Sequence, residues 1–441
     1  MNIVLLSGGS GKRLWPLSND IRSKQFIKIF KTEDGGYESM VQRVYRQIRS
    51  IDTDATITIA SSKAQVSAIY NQLGEKVMMS VEPCRRDTFP AIVLAAAYLH
   101  DVQGIPEDEA MVVCPVDPYV EEDYFRALRQ MAEIAQREQK MLLMGIEPTH
   151  PSSQYGYIIP QSSDPISDVL TFREKPDEET AAHYIRQGAL WNSGVFAFPL
   201  KYVLQRAHEL IDFRDYHDLF ANYASLEAIS FDYAVVEKAE ALQVMRFGGH
   251  WDDLGTWDTL TEVMEEPCIG QAIMNDDCKN VHILNETGVP VLAMGLHDVV
   301  ISASPEGILV SDKEQSSQIK PFVDGISQRI MFAEKSWGSF RILDLEDESL
   351  TIKVTLNPGH KMNYHSHRHR DEIWVVTSGT GYCVLDDHMR MIHPGDVITM
   401  SAGCRHTVIA KTKLMLVEVQ LGPHITVHDK HKHEFPPDLP L

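Results

Sequence analysis

Ile3-Val-Leu-Leu-Ser-Gly8-Gly9-Ser10-Gly11-Lys12-Arg13-Leu14-Trp15-Pro16-Leu17-Ser18, running on to Ser23-Lys24-Gln25-Phe26, sets the fold expected of this chain. The opening run is short, fully apolar and rich in β-branched residues, the pattern of a strand buried in a parallel sheet. Gly8, Gly9 and Gly11 follow at once. Glycine lets backbone N–H groups turn toward a ligand and lets a phosphate approach with no Cβ in the way. Arg13 and Lys24 bring positive charge to the same mouth, so the stretch predicts a nucleotide phosphate site. A Walker A loop would need glycine at position 6 and Ser or Thr after the lysine, where Leu6 and Arg13 stand. The dinucleotide fingerprint would need glycine at position 14, where Leu14 stands. On the glycines alone, a turn with no ligand is the alternative. Arg13 and Lys24 weigh against it, because a structural turn needs neither.

Working outward, 441 residues suffice for two or three domains with a sizeable core. Apolar and charged contents of 44% and 23% are those of an ordinary globular chain. A net charge of −21 argues against nucleic acid or an anionic membrane as partner, since both want a basic face. An anionic substrate must then be held by local cations or metal. The six cysteines form no CxxC pair, which suggests a reducing compartment. The chain opens on a strand rather than a signal peptide and carries no apolar run of membrane-spanning length, so a cytoplasmic location is expected.

From Met1 to about Gly255 short apolar runs alternate with helical patterns: strands over 56–60 and 110–116, helices over 90–100 and 124–136. That alternation predicts an α/β, Rossmann-like domain with a mainly parallel sheet, whose ligands bind at the carboxyl ends of strands. Asp117 closes one such strand. It is either a helix N-cap or a ligand for Mg²⁺, which favours one or two carboxylates plus substrate phosphates. Asp253, in Trp251-Asp-Asp253-Leu-Gly255-Thr-Trp257, is a second acid at the end of an apolar segment. Two such acids suit one metal shared with a triphosphate. Beyond 280, strand candidates over 281–284, 289–294, 299–302 and 308–310 predict a small β-rich connector. The expected domains are 1–262, 263–326 and 327–441.

The last of these carries Gly359-His-Lys-Met-Asn-Tyr-His365-Ser-His367-Arg-His-Arg-Asp-Glu372, which resembles the first cupin motif; Gly395, Gly403 and His406 fit part of the second. In a strand, His365 and His367 share one face. With Glu372 and His406 they make a set able to hold Zn²⁺, Fe²⁺ or Mn²⁺ in a β-barrel; a metal-free barrel is the alternative. His369 reads as a solvated neighbour.

The N-terminal stretch resembles the Gly-Gly-x-Gly-Thr-Arg-Leu-x-Pro-Leu motif of the sugar-1-phosphate nucleotidyltransferases, with Lys12 in place of the usual Thr. Its Trp-Pro-Leu-Ser version is most similar to the mannose-1-phosphate guanylyltransferases. Glu82-Pro83-Cys-Arg-Arg86-Asp87-Thr, Gln154-Tyr-Gly156-Tyr-Ile, Glu174-Lys175-Pro and Asn192-Ser-Gly follow in the family's order. The departures are Asp87 for Asn and Pro118 for the His after the metal Asp. The resemblance implies that Glu82, Pro83 and Arg86 sit against the base. Gly156, Glu174, Lys175 and Asn192 then hold the sugar phosphate, and Asp117 and Asp253 hold Mg²⁺.

The whole chain is similar to bacterial bifunctional enzymes that join a guanylyltransferase to a cupin mannose-6-phosphate isomerase. That similarity ends after Gly422, where the chain reads Pro423-His-Ile-Thr-Val-His. It implies GMP transfer from GTP to mannose 1-phosphate, with Arg13 on the departing pyrophosphate and Lys24 drawing the phosphates together. Three alternatives stand beside it: an added isomerase activity, another sugar 1-phosphate as substrate, and a non-catalytic sugar-nucleotide sensor. A homo-oligomer is compatible with each.

Overall fold

The structure, a computed structural model, describes residues 1–9, 12–19, 21–326, 330–423 and 425–439. They form two compact units. The first is Met1–Leu14, Ser23–Val66 and Lys76–Glu266; the second is Trp15–Arg22, Ser67–Glu75 and Pro267–Leu441.

The first unit is built on a nine-stranded sheet. In chain order its strands are β1 (Asn2–Leu6), β2 (Thr56–Ser62), β3 (Met78–Glu82), β4 (Ala110–Pro115), β5 (Met141–Ile146), β6 (Tyr157–Pro160), β7 (Ile166–Arg173), β8 (Leu190–Pro199) and β9 (Leu242–Phe247). Their lateral order is β3-β2-β1-β4-β8-β5-β9-β7-β6, and β8 also pairs with β6. β1 to β4 are parallel, as are β5 and β9. Intervening helices make those crossovers possible. β8 runs against both β4 and β5, and β6 and β7 join antiparallel through a short connection. Ile3, Val4 and Leu5 are fully buried, as an all-apolar strand covered on both faces must be.

The helix Thr88–Ala97 is buried from Phe89 through Ala97, which is why it shows almost no polar face. The helix Glu122–Glu138 buries Tyr124, Phe125, Leu128 and Met131 along one side and packs on β4 and β8. At the carboxyl ends of β1 and β4 stand Gly8, Gly9 and Asp117. A two-stranded ribbon, Pro118–Val120 against Trp251–Asp253, then pairs Pro118 with Asp253 and so brings the second acid to the first.

In the second unit, Cys268–Gly270, His282–Asn285 and Val299–Ser304 stack in parallel, and Gly307–Asp312 returns antiparallel. Ala272–Met274 pairs in parallel with Val291–Ala293. The strands over 268–270 and 272–274 escaped the sequence because three residues carry no readable alternation. The barrel is two sheets, of six and five strands, closing over one core that contains Trp374, Ile398 and Leu416 from one sheet and Cys383, Ile392 and Val408 from the other. No helix among the described residues is long and apolar enough to cross a membrane. All six cysteines are free thiols.

The back half of the glycine motif belongs to this second unit. Ser304 Oγ donates to Pro16 O at 2.8 Å. Arg22 grips Glu286 through two bonds of 2.6 and 2.7 Å. Gly307 is required by close approach, because a Cβ there would sit 2.5 Å from the Trp15 indole. Gly307→Ala should therefore destabilise the chain by about 1–3 kcal/mol through overpacking. An unchanged urea midpoint would show that Trp15 does not constrain this contact.

Candidate functional site

Two clefts open at the carboxyl ends of the first unit's strands. One, of about 290 Å³, is lined by Gly8, Gly9, Gln65, Glu82, Arg85 and Asp117 among others. The other, of about 240 Å³, is lined by Tyr155, Gly156, Glu174, Lys175, Asn192 and Asp253 among others. Asp117 belongs to both, so the two clefts meet there.

The glycine turn is pinned from below. Ser23 Oγ donates to Gly9 O at 3.0 Å, Gln65 Nε2 donates to Ser23 Oγ at 2.8 Å, and Gln25 Nε2 donates to Ser7 Oγ at 3.0 Å. Gly9 has φ +107, a conformation that side chains rarely adopt. Gly11 lies outside the described residues. Between the pinning residues, Lys24 Nζ lies 2.8 Å from Asp117 and 3.5 Å from Asp253, and donates to Leu254 O at 3.3 Å. Burial pulls the Lys24 pKa down, but the two carboxylates more than reverse this and leave it above the ordinary lysine value. Both carboxylates are about a third or more exposed, so they are open to the cleft. Two oxygen donors already gathered on one cation fit Mg²⁺. Arg13 stands at the same corner: a Cβ on Gly255 would lie 3.5 Å from Arg13 Nη1 and 3.6 Å from the Asp253 oxygens.

In the first cleft, Glu82 is buried and accepts from Tyr223 Oη at 2.7 Å. Burial raises its pKa above the usual carboxylate range. The neighbouring loop departs from expectation. Arg86 donates to Ala224 O, and neither Arg86 nor Pro83 is among the residues lining the cleft; Arg85 is. Asp87, at φ +66, accepts from the Thr88 N–H at 2.7 Å and so caps the helix that follows.

In the second cleft, Glu174 takes Lys175 Nζ on Oε1 at 2.7 Å, and its N–H donates to Glu237 at 3.0 Å. Glu174 Oε2 is buried without a partner. It lies 2.5 Å from where a Cβ of residue 156 would be, so Gly156 is what leaves it room. Asn192 Nδ2 donates to Asp232 Oδ1 at 2.8 Å. Asp232 is a site residue that the sequence did not single out. Burial, then the charge of Glu174, pushes its pKa up to about 7. Its only signal was a lone acid between aromatic neighbours.

The barrel holds a separate centre. His365, His367 and His406 are buried, with ligand atoms within 4.8 Å of one another. Each Nδ1 lies against a backbone carbonyl: Asn363 O at 2.6 Å, Asp429 O at 3.0 Å and Cys404 O at 3.0 Å. Those bonds place the hydrogen on Nδ1 and leave each Nε2 a lone pair. Burial pushes His365 down to about 2, so it stays neutral. Glu372 lies 3.0 Å from His367 Nε2 and 3.2 Å from His406 Nε2. His406 Nε2 and Glu372 Oε2 are both buried without a hydrogen-bond partner. Two facing acceptors repel, and a cation between them relieves that, so this set fits a divalent metal. Arg370 also reaches in, 3.1 Å from Glu372 and 3.0 Å from His367 Nε2. Glu418, another carboxyl in this barrel, is pushed to about 7 by burial and by Glu372. His369 is exposed, as expected.

Residues 2–268 match the family model described as nucleotidyl transferase, and residues 327–434 match that of the mannose-6-phosphate isomerase C-terminal. The chain is 30% identical to the xanthan biosynthesis protein XanB of Xanthomonas campestris pv. campestris strain B100, covering 97% of this chain and 96% of that protein. It is 28% identical to the mannose-1-phosphate guanylyltransferase of Escherichia coli K12, with coverage of 97% and 96%. A solved structure from Thermus thermophilus, described as a mannose-1-phosphate geranyltransferase, superposes with a TM-score of 0.60 at 28% identity. The match covers 73% of this chain and 98% of that one.

Asp232 gives the first unit a pH dependence. Its pKa is raised from 3.8 to about 7, so the native state binds more protons than the unfolded state across that window. Its contribution to stability is therefore full below about pH 4 and is lost as pH rises through about 7. Asp232→Asn should hold its stability over that range and gain on the wild type by roughly 2–4 kcal/mol at pH 8. Parallel stability–pH curves for the two proteins would count against a buried, protonated Asp232.

Proposed function

The chain belongs to the nucleotidyl transferase family, and we propose on that premise that it transfers GMP from GTP to mannose 1-phosphate. A phosphate oxygen of the sugar phosphate attacks the α-phosphorus, the bond to the β-phosphate breaks, and pyrophosphate leaves. The attacker is already an anion, so no protein nucleophile or strong base is needed. Positioning and charge neutralisation carry the rate. The observation that supports this reading above others is the junction of the two clefts at Asp117, with Lys24 across it.

In this proposal Gly8, Gly9 and Gly11 cradle the phosphates, and Arg13 takes the charge of the departing pyrophosphate. Lys24 draws the two anions together. Glu82 and Arg85 flank the base. Lys175 holds the sugar phosphate, while Glu174, Asn192 and Asp232 hold sugar hydroxyls. Asp117 and Asp253 would hold Mg²⁺, which supplies charge neutralisation when bound. The work divides between a transferase domain over 1–262, a connector over 263–326 and a barrel over 327–441. GTP as the substrate and six free thiols support a cytoplasmic location.

A second reading, interconversion of mannose 6-phosphate and fructose 6-phosphate in the barrel, is favoured by the cluster of three buried histidines, two of which face Glu372. His365, His367, Glu372 and His406 would hold Zn²⁺, Fe²⁺ or Mn²⁺, which polarises a carbonyl when bound.

Pyrophosphate release with Mg²⁺ and mannose 1-phosphate should be selective for GTP over ATP, CTP and UTP. Preference for another nucleotide would discard the base assignment, and no release with a panel of sugar phosphates would discard the transferase reading. Asp253→Asn should cost about 100-fold or more in turnover while leaving nucleotide affinity within about threefold; equal losses would remove its metal role. In the barrel, metal analysis of the full chain should find about one transition-metal ion per chain, lost in His365→Ala. An equal metal content in the two proteins would refute the assigned ligand set.

A further inference from the structure

The segment after Gly422 is expected from its sequence to part from the family pattern, but the isomerase C-terminal model matches through residue 434. This segment returns to the barrel and docks beside the strand His365–His367. His433 N–H donates to Tyr364 O at 2.8 Å, and His433 Nε2 lies 2.8 Å from Ser366 Oγ. The Phe435 ring lies 4.4 Å beneath the Lys361 ammonium and 6.2 Å from the Tyr364 ring. The opposite wall is the turn at Ser336 and Trp337. Asn71 fixes that turn by donating to Lys335 O at 2.9 Å and to Gly338 O at 3.1 Å. Between these walls is a cavity of about 710 Å³. That volume is within the range of pockets for drug-sized ligands.

Two features define what would enter it. Its rim carries His360, Lys361, Lys432 and His433 against one acid, Glu75. In a chain of net charge −21 this is a local reversal of sign, which concentrates anions. Its walls also carry the rings of Trp337, Tyr364 and Phe435 with Met362 and Ile409. None of His365, His367, Glu372 and His406 lines it, so it is not the barrel's metal centre. An inorganic phosphate alone would leave the aromatic wall unused, and a neutral sugar would leave the lysines unmatched. A planar ring carrying phosphate satisfies both.

We propose that this cavity is a second nucleotide site, with phosphate held by Lys361 and Lys432 and the base against Trp337 and Phe435, separate from the clefts of the first unit. Equilibrium dialysis of GDP against the full chain tests it through a difference. The variant K361E/K432E should bind one GDP fewer per chain than the wild type, with pyrophosphate release unchanged. Because the readout is a difference, it holds whether or not the transferase cleft itself retains GDP. Equal stoichiometry in the two proteins overturns the proposal. If the double variant also loses turnover, Lys361→Met decides: about tenfold weaker binding at this site with turnover intact supports the proposal, and unchanged affinity overturns it. Guanosine should fail to bind, and inorganic phosphate should displace GDP only at concentrations at least tenfold higher. Binding by guanosine would remove the cations from the site. Displacement by phosphate at parity would remove the aromatic wall and leave a plain anion site.

Discussion

One buried ammonium ties the first unit together. Lys24 Nζ meets Asp117 at 2.8 Å and Asp253 at 3.5 Å, residues that nothing local in the chain brings together. An ammonium out of water is costly unless paired, and the two carboxylates would repel each other without it. The surrounding structure follows from that constraint. The chain after β1 must turn back so that residue 24 lies beside the end of β4. Ser23 and Gln25, on either side of it, take the anchoring bonds to Gly9 and Ser7. The ribbon of Pro118–Val120 with Trp251–Asp253 must close, because only that pairing carries the second acid across some 135 residues of sequence to the first.

Much of this was legible from local chemistry. The all-apolar run ending in glycines read as a strand and a turn, Arg13 and Lys24 marked the turn as a ligand site, and Asp117 showed itself by closing a strand. His365 and His367 declared a shared face through the period of two. What escaped depended on facts that no local pattern carries. Arg85 and Arg86 are adjacent and chemically alike, and only the folded chain shows that Arg85 lines the cleft while Arg86 is held on Ala224 O. Asp232 is an ordinary acid until the chain's return places it beside Glu174, when burial and a like charge change its protonation. Trp15 read as part of a phosphate motif, yet its ring packs on Gly307 in the second unit. A motif recognised as one piece can therefore serve two units, with its glycines and cations in one and its Trp-Pro-Leu-Ser half in the other.

The transferase clefts and the barrel face the same electrostatic problem, the gathering of negative or electron-rich groups in a chain of net charge −21, and answer it differently. In the barrel, hydrogen bonds to three carbonyls fix the imidazole tautomers so that lone pairs point inward, and they meet a carboxylate with no proton to share. Arg370 meets one oxygen of that carboxylate at 3.1 Å, while Glu372 Oε2 and His406 Nε2 stay unpartnered, and a metal cation would fit between them. In the clefts the acids are compensated before any ligand arrives, by Lys24 at the junction and by Lys175 on Glu174.

That difference matters for the order in which charge can be brought in. Two anionic substrates must approach each other for the transfer to occur, and any uncompensated carboxylate nearby would oppose them. Asp117 and Asp253 share one ammonium, which offsets part of their charge and whose proton they themselves stabilise. Asp232 is handled by the remaining route: burial and the charge of Glu174 keep its carboxyl largely protonated until about pH 7. A group titrating there is often taken for a general base, but this chemistry has no proton to remove. Here the shifted carboxyl withholds a negative charge from the cleft that we propose takes the sugar phosphate.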